Sequence, residues 1–435
     1  MKNIFVSLVC VLLLFSCKKE ESILPEFTNL KIFNFIFDDP TYSYNYNGHI
    51  SRPIVINDDN SFVSFSRSYD PSYFAILNTH YFSEENELLA ENSYTESQLL
   101  PLSSSAYDYS IIGRDPFKNE NNDYLIPALK CSKILSTSYK FDSLCLLKFN
   151  KQGQFLTRKC FFLNNYFGNF PNIYDGIKVV ENDGFYYFAF ELGQDLNGIG
   201  TKKDSLNIYK LDLNFNFVKS IKINNSNSVN NGYFKDIKIV NDEIFLLYSN
   251  QNFSNSMYVS KYNLNLNLIA SKKIDDYIPS SMSRYFSELQ YVNNEILCVG
   301  YMSDDYYSHF GFVKFDITLS PLNYFVFHGD KLNQKYNGST VTADEKLLVY
   351  YEEEGVSSSV NHPIGNYIGV AKIDPNGSVI STFKFPKNSV TSYSSYCKEI
   401  TENEYLLIGN KLTNGSGNVF QGFIAKVDKE GNLLK

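Results

Sequence analysis

Apolar runs of four to eight residues, rich in Ile, Val, Phe and Tyr, recur along this chain between clusters of Asn, Asp, Gly and Ser. Runs of that length and composition, bounded in that way, predict β-strands joined by hairpins. The clearest group of four covers residues 234–240, 244–248, 257–262 and 266–274, with Asn241-Asp242 punctuating the first pair. Nothing after the first seventeen residues sustains a helical period. The pattern predicts an all-β chain built from four-stranded units.

One phrase sets the length of the unit: a Lys, one apolar residue, then Asp or Asn. It occurs as Lys148-Phe149-Asn150, Lys210-Leu211-Asp212, Lys261-Tyr262-Asn263, Lys314-Phe315-Asp316, Lys372-Ile373-Asp374 and Lys426-Val427-Asp428. The lysines are 62, 51, 53, 58 and 54 residues apart, and self-similarity at such a period marks a repeat architecture. A degenerate seventh copy, Tyr81 to Leu89, aligns without gaps on Lys426 to Leu434. In Asp374-Pro375-Asn376-Gly377 and Asp428-Lys429-Glu430-Gly431, Asp opens a four-residue turn and Gly closes it; Asn150 and Gly153 do the same. These are type I turn preferences, with Gly free to take a positive φ, and Asn86 stands at that place in the degenerate copy. The phrase therefore predicts the hairpin between the third and fourth strands of each unit. A ring of acidic ligands is the chemical alternative, and turn chemistry already accounts for the residues. First strands are expected near Ile54, Tyr109, Ile177, Ile237, Leu289, Thr340 and Glu399.

Seven four-stranded units at this period resemble a β-propeller, whose blades stand radially around a central channel. The units look most like bacterial propeller repeats that end in Lys-x-Asp-x-x-Gly; a repeated Trp-Asp pair and a kelch double glycine are both missing from the sequence. The resemblance implies one all-β domain over residues 28–435, a single seven-bladed propeller of four-stranded antiparallel blades, with six or eight blades and an open solenoid as alternatives. The termini favour closure. The last unit ends at Asn432-Leu433-Leu434-Lys435, a fourth strand barely long enough to pair, while residues 28–37 form a strand without a unit of their own. An N-terminal strand that completes the last blade would close the ring and cover a sheet edge.

The first residues carry an address. Lys2 is followed by the apolar stretch Ile4–Phe15, too short to span a bilayer, and then by Ser16-Cys17. Leu14-Phe15-Ser16-Cys17 resembles the lipobox of bacterial lipoproteins, which implies a signal peptide over 1–16, lipidation of Cys17 and a tether over 17–27. Lys18-Lys19-Glu20-Glu21 resembles the export tag of Bacteroidota-type outer-membrane lipoproteins, with a solvated charged linker as the alternative. The resemblance implies an outer-membrane, surface-exposed protein held by acyl chains. The formal charge of −8 argues against a nucleic-acid partner.

Candidate chemistry is sparse. Cys131, Cys145, Cys160, Cys298 and Cys397 cannot all pair within the chain. Folding the hairpin about Asn150–Gly153 sets Cys145 close to opposite Cys160; an oxidising compartment permits a disulfide there, and buried thiols are the expectation. The same exercise brings His309 near His328, beside Asp304 and Asp305, but two histidines on a blade edge need no ligand, and neither a metal nor a cofactor is expected. Acids recur near the entry to the first strands, at Asp108, Asp175, Asp236, Glu288 and Glu399, accompanied by Tyr107, Tyr174, Tyr233, Tyr285 and Tyr396. They do not stand at one equivalent distance from the next hairpin, and the sixth unit has Asn337-Gly338-Ser339 instead of an acid. Asp142-Ser143-Leu144 and Asp204-Ser205-Leu206 resemble a short O-glycosylation acceptor; a repeated turn ahead of the third strand is the preferred reading.

The sequence thus points to a non-catalytic binding or scaffolding propeller on the cell surface. Its expected partners are an envelope protein, an external protein or a glycan, met by Asp175, Asp236, Glu288, Tyr174, Tyr233 and Tyr285. The alternative is a glycan hydrolase or lyase that uses the channel-mouth carboxylates as acid and base.

Overall fold

The four runs between residues 234 and 274 fold as Gly232–Val240, Glu243–Asn250, Ser256–Asn263 and Leu268–Lys273, each strand antiparallel to the next. Six further sheets repeat this up-and-down order, and blade 2 adds a two-residue strand, Phe117–Lys118, paired with its second strand. Blades 1 to 6 run over residues 54–95, 108–169, 177–223, 232–273, 283–326 and 333–386. Blade 7 combines Ser392–Thr401, Glu404–Leu412 and Phe420–Asp428 with the N-terminal strand Lys31–Asn34. Lys31 stands opposite Ile424 and Asn34 opposite Gln421, so the N-terminal strand closes the last blade, as the termini predict. The result is a seven-bladed β-propeller. This computed structural model describes residues 31–34, 54–69, 75–85, 87–100, 108–112, 116–119, 121–135, 138–169, 177–195, 202–223, 232–250, 256–304, 307–327, 333–354, 367–386, 392–412, 420–430, 432 and 434.

The core lies between the blades. One apolar cluster joins blades 1 and 2 through Phe65, Leu77, Tyr124 and Phe149, and another joins blades 4 and 5 through Phe245, Leu247, Phe286 and Phe315. A cluster around Phe62, Tyr350, Tyr405 and Val427 spans blades 6, 7 and 1, so apolar packing continues through the point of closure. Both faces of a blade are covered in this way, which explains why second and third strands are continuous apolar runs.

The Lys-x-Asp phrase sits at the third-to-fourth hairpin in each unit. Oδ1 of Asp212 accepts the amides of Asn214 and Asn216 at 2.9 and 2.8 Å, and Asn263, Asp316 and Asp428 accept the equivalent pairs. In the degenerate copy Ser83 Oγ takes the same amides, from Glu85 and Glu87. The glycine place is where the blades diverge. Gly153 and Gly377 have φ of 76° and 92°, but blades 3, 4 and 5 put Phe215, Leu266 and Leu319 there with φ of 70°, 59° and 64°. Each of these side chains is buried against the core, so packing holds a backbone that L-residues otherwise avoid.

Two sequence readings are corrected. Cys145 and Cys160 are opposite each other in register and form a disulfide, where buried thiols were expected; among the described side chains Cys298 and Cys397 are buried thiols outside any bridge. The two Asp-Ser-Leu triplets lie inside the third strands Ser138–Phe149 and Lys202–Asp212 rather than ahead of them, and Ser143 is buried. Ladder geometry, not a surface turn, places them.

Replacing Leu319 by Gly relieves a left-handed residue, by about 1–2 kcal/mol, and removes a buried Leu, at about 2–5 kcal/mol. A net loss of stability is expected in urea unfolding; an unchanged or raised midpoint would show that strain dominates the turn. The turn carboxylates also make stability depend on acid. Hydrogen bonds from the Asn216 side chain hold Asp212 below its ordinary value, and the Lys346 ammonium does the same for Asp374. Their folded values lie below the unfolded ones, so their contribution is complete above about pH 4 and is lost as pH falls through the folded values. A thermal midpoint that rises on acidification from pH 5 to pH 3 would contradict this.

Candidate functional site

The first strands line the inside of the ring, and from blade 3 to blade 7 each contacts the next. In blades 4, 5 and 6 the first strand carries a β-bulge, at Phe234/Asp236, Phe286/Glu288 and Tyr336/Gly338. A bulge re-aims the side chains beside it. Here it turns Asp236 and Glu288 along the circumference, into the next blade.

Asp236 is 4% exposed and both of its oxygens are engaged. Oδ1 accepts Lys178 Nζ of blade 3 at 2.9 Å and the Ile237 amide at 2.8 Å, and Oδ2 accepts the Leu289 amide of blade 5 at 2.7 Å. Glu288 is 1% exposed, and its Oε2 accepts the amide and hydroxyl of Ser339 in blade 6 at 2.9 and 2.7 Å. Beside them Lys238 Nζ donates to Gln290 Oε1, and Gln290 Nε2 donates to Ser339 O. A polar belt thus runs from blade 3 to blade 6 along the inner strands. Gly338 stands at the place of Asp236 and Glu288, and a Cβ there would lie 2.1 Å from Tyr350 Oη. The missing acid of blade 6 is explained by the tyrosine packed against it.

The acids named from the sequence therefore divide. Asp236 and Glu288 occupy equivalent places after their bulges, contrary to the unequal spacing read from sequence. Glu399 does not join them: it lies near the first-to-second turn of blade 7, where its carboxylate takes Lys372 Nζ at 2.9 Å and the Ala343 amide at 3.1 Å. Burial alone would lower the Lys372 pKa, and the Glu399 and Asp344 carboxylates overcome it and raise the value. Asp108 begins the strand Asp108–Ile112 opposite Ser132. Asp175, Tyr174, Tyr107 and Cys17 lie outside the described residues.

The tyrosines lead to the other end of the strands. Tyr233 and Tyr285 hold equivalent positions at the starts of their first strands, opposite Ser249 and Tyr301. Tyr285 stacks on Tyr301 with centroids 5.6 Å apart, and its hydroxyl receives Lys235 Nζ at 2.6 Å. Tyr301 is 36% exposed. Lys235 is buried, with its Nζ 4.5 Å over the Tyr285 ring, so the accessible member of this cluster is Tyr301, an aromatic side chain suited to stacking and hydrogen bonding. Tyr396 instead is buried beside Tyr350.

Sequence reasoning missed Lys178, Lys235, Gln290 and Ser339. The usable signal was positional: Lys178, Asp236 and Glu288 each stand five residues before the first turn residue of their blades, Asp183, Asn241 and Asn293. His309 Nε2 lies 3.5 Å from Asp304 Oδ2, and His328 and Asp305 lie outside the described residues. Among the described residues no group of three or more His, Cys, Asp or Glu side chains is placed to hold a metal ion.

No family model matches the sequence, and no curated protein matches it. Solved structures similar in fold include a putative 6-phosphogluconolactonase from Bacteroides fragilis, 12% identical over 87% of this chain and 99% of that one, with a TM-score of 0.44. Polysaccharide lyase Uly1 is 8% identical over 89% and 91%, with a TM-score of 0.48. A neuraminidase-like protein of A/bat/Guatemala/164/2009 is 11% identical over 70% and 84%, with a TM-score of 0.39. Likeness at this level carries no argument about function, so the belt is tested on its own residues. Asp236→Ala leaves Lys178 and the Leu289 amide without their shared acceptor inside the ring, and removal of one partner from such a pair costs about 3–5 kcal/mol. A clear drop in the urea midpoint is expected. A variant as stable as the parent would free Asp236 from its seam duty.

Proposed function

We propose that this chain is a lipid-anchored, surface-exposed propeller that binds a partner without catalysing a reaction. The observation that carries the proposal is the engagement of Asp236 and Glu288 in the blade seams. A general acid or base must exchange protons with a substrate at hydrogen-bond distance; carboxylates buried against backbone amides of a neighbouring blade are poorly placed to do so. This weighs against the glycan hydrolase or lyase alternative in so far as it relied on those two acids.

Binding is assigned to the end of the ring that holds the connections between second and third strands and between blades. Several blades contribute side chains to one surface there. Tyr301 and Tyr285, with the buried Lys235 beneath them, form its described part, and Tyr233 belongs to the same level. Tyr174 and Asp175 enter the proposal from sequence, in the connection that leads into blade 3. Asp236 and Glu288 support the surface from below. The partner in this reading is an envelope protein, an external protein or a glycan presented to that end.

The anchor rests on Leu14-Phe15-Ser16-Cys17 and on the stretch before it. The Cys145–Cys160 disulfide fits an oxidising compartment outside the cytoplasm. Among the described residues no helix is long and apolar enough to cross a membrane. Each buried methylene of an acyl chain contributes about 0.8 kcal/mol, so several chains on Cys17 would hold the protein without any span.

Two measurements test the proposal. Metabolic labelling with a palmitate analogue, followed by membrane fractionation, should place the parent in the membrane fraction with label and Cys17→Ser in the soluble fraction without it. Equal partition of both, unlabelled, would remove the anchor. Crosslinking in intact cells should capture a partner with the parent, and Tyr285→Ala with Tyr301→Ala should weaken capture roughly tenfold, the scale of an aromatic anchor. Undiminished capture would move the binding surface elsewhere.

A further inference from the structure

The outermost strands begin with exposed apolar pairs. Phe217-Val218, Leu268-Ile269 and Val379-Ile380 are 43–58% exposed, and Leu322 holds the same place in blade 5 at 49%. At each of these places the outermost strand carries a β-bulge, so that two of its residues stand opposite one residue of the third strand: Phe217 and Val218 opposite Leu211, Leu268 and Ile269 opposite Tyr262, Val379 and Ile380 opposite Ile373. The bulge lifts the pair out of the regular ladder, and its exposure marks a corner that neither neighbouring blade covers. These corners recur at one end of the ring, directly after the third-to-fourth turns. The adjoining turn tips of blades 3, 4 and 5 are Leu213-Asn214, Leu264-Asn265 and Ile317-Thr318, with no ionisable side chain among them. Apolar surface repeated along one rim is what a partner or a membrane covers.

The N-terminal strand indicates what lies beneath that rim. Phe420–Asp428 runs toward its hairpin at Asp428, and Lys31–Asn34 pairs with it antiparallel, Lys31 opposite Ile424. The chain before Lys31 thus joins the ring at the hairpin end, the end that carries the apolar corners. Residues 18–30 reach at most about 45 Å when fully extended, at ~3.5 Å per residue.

We infer that the hairpin-end rim of blades 3 to 6 is a lipid-facing surface, which rests its apolar corners in the interface of a phospholipid bilayer and turns the loop end away from it. The inference rests on the lipid-anchor reading for what brings the ring to the bilayer. Two basic side chains beside the rim suit this position: Lys159 and Lys219 donate to the carbonyls of Leu213 and Asn265, their stems lying along the rim. Nearer the axis the same end carries exposed acids on first-to-second turns, Asp242, Asp344, Glu345 and Glu402. They give the contact no preference for anionic lipid, so it depends on apolar seating, and a neutral bilayer suffices.

The chain contains no Trp, so a single introduced Trp reports its own surroundings. Leu268→Trp places it on the rim. Phe162→Trp is the control: it is 75% exposed and stands opposite Ser143, seven residues from the turn at Asn150, about 23 Å at ~3.3 Å per residue. Every described strand of the ring follows residue 30, so chains beginning at residue 18 keep all of them. Each variant, with an N-terminal hexahistidine in place of the lipid, is tethered to phosphatidylcholine vesicles that contain nickel-chelating lipid and brominated acyl chains. Emission from Leu268→Trp should be quenched and shifted to the blue, and emission from Phe162→Trp should do neither. Quenching of both, of neither, or of Phe162→Trp alone would overturn the inference. Should Leu268→Trp fail to fold, Phe217→Trp takes its place under the same readout. The tether is artificial, so the result is independent of Cys17: loss of palmitate label with the rim still quenched removes the anchor and keeps the surface, and the reverse pattern removes the surface and keeps the anchor.

Discussion

The third-to-fourth turns of blades 1 to 6 are each gripped by the blade before them, and the ring depends on that grip. Lys210 Nζ donates to Leu264 O at 3.1 Å, Lys261 to Ile317 O at 2.9 Å, Lys314 reaches Asn376 Oδ1 at 3.4 Å, and Lys426 reaches Glu84 O across the closure. Lys159 does the same for Leu213 O, and blade 1, without a lysine, uses Thr79 Oγ1 on Gly153 O at 2.7 Å; Lys372 instead grips blade 7 beside its first-to-second turn, at Glu399. The two halves of the phrase are thereby linked. Asp or Asn draws the turn amides inward, which leaves carbonyls facing out, and in blades 3, 4 and 5 a lysine of the preceding blade takes one of them. Apolar clusters attract without direction; these hydrogen bonds fix the rotation of each blade against the next.

That constraint explains which substitutions the turn tolerates. A carbonyl must point at the neighbouring lysine, so the backbone path is kept even where Phe215, Leu266 and Leu319 replace glycine. Their left-handed φ is compensated by burial in the seam that the lysine closes. The inner belt repeats the principle with opposite polarity: Asp236 and Glu288 offer acceptors to amides of the following blade, where the outer lysines offer donors. Blade-to-blade contact is thus polar at the inner strands and at the turns, with apolar side chains filling the layer between.

The architecture was legible because its determinants are local and periodic. Seven hairpins, the Asx geometry at Asp212 or Asp428, and the spare N-terminal strand all follow from turn chemistry and strand counting. What lies across a seam was not legible. A lysine's length lets it reach either within its own blade, as Lys148 does to Asp123, or into the next, and spacing along the chain does not choose between them. The same limit applied to the acids. Asp236 and Glu288 read as mouth residues because the sequence gives their distance from a hairpin but not the bulge that turns them sideways. Buried thiols were preferred over the Cys145–Cys160 bond for a related reason: one residue of register decides which face a strand residue occupies.

The variation in repeat length bears on where function lies. The third-to-fourth hairpins keep a constant length in every blade: the residue that opens each turn, from Ser83 to Asp428, donates its amide to the carbonyl of the fourth residue after it. The steps of 51 to 62 residues between lysines must therefore arise elsewhere, chiefly in the connections at the opposite end, such as 355–366 in blade 6 and 170–176 after blade 2. Freedom of length and sequence is concentrated at the end where Tyr285 and Tyr301 gather, and the uniform third-to-fourth turns lie at the end where the chain enters from residue 30. A ring that meets one varied surface and one uniform surface distributes its residues in this way: specificity requires irregular loops, whereas contact with a bilayer requires only the same apolar corner repeated around a rim.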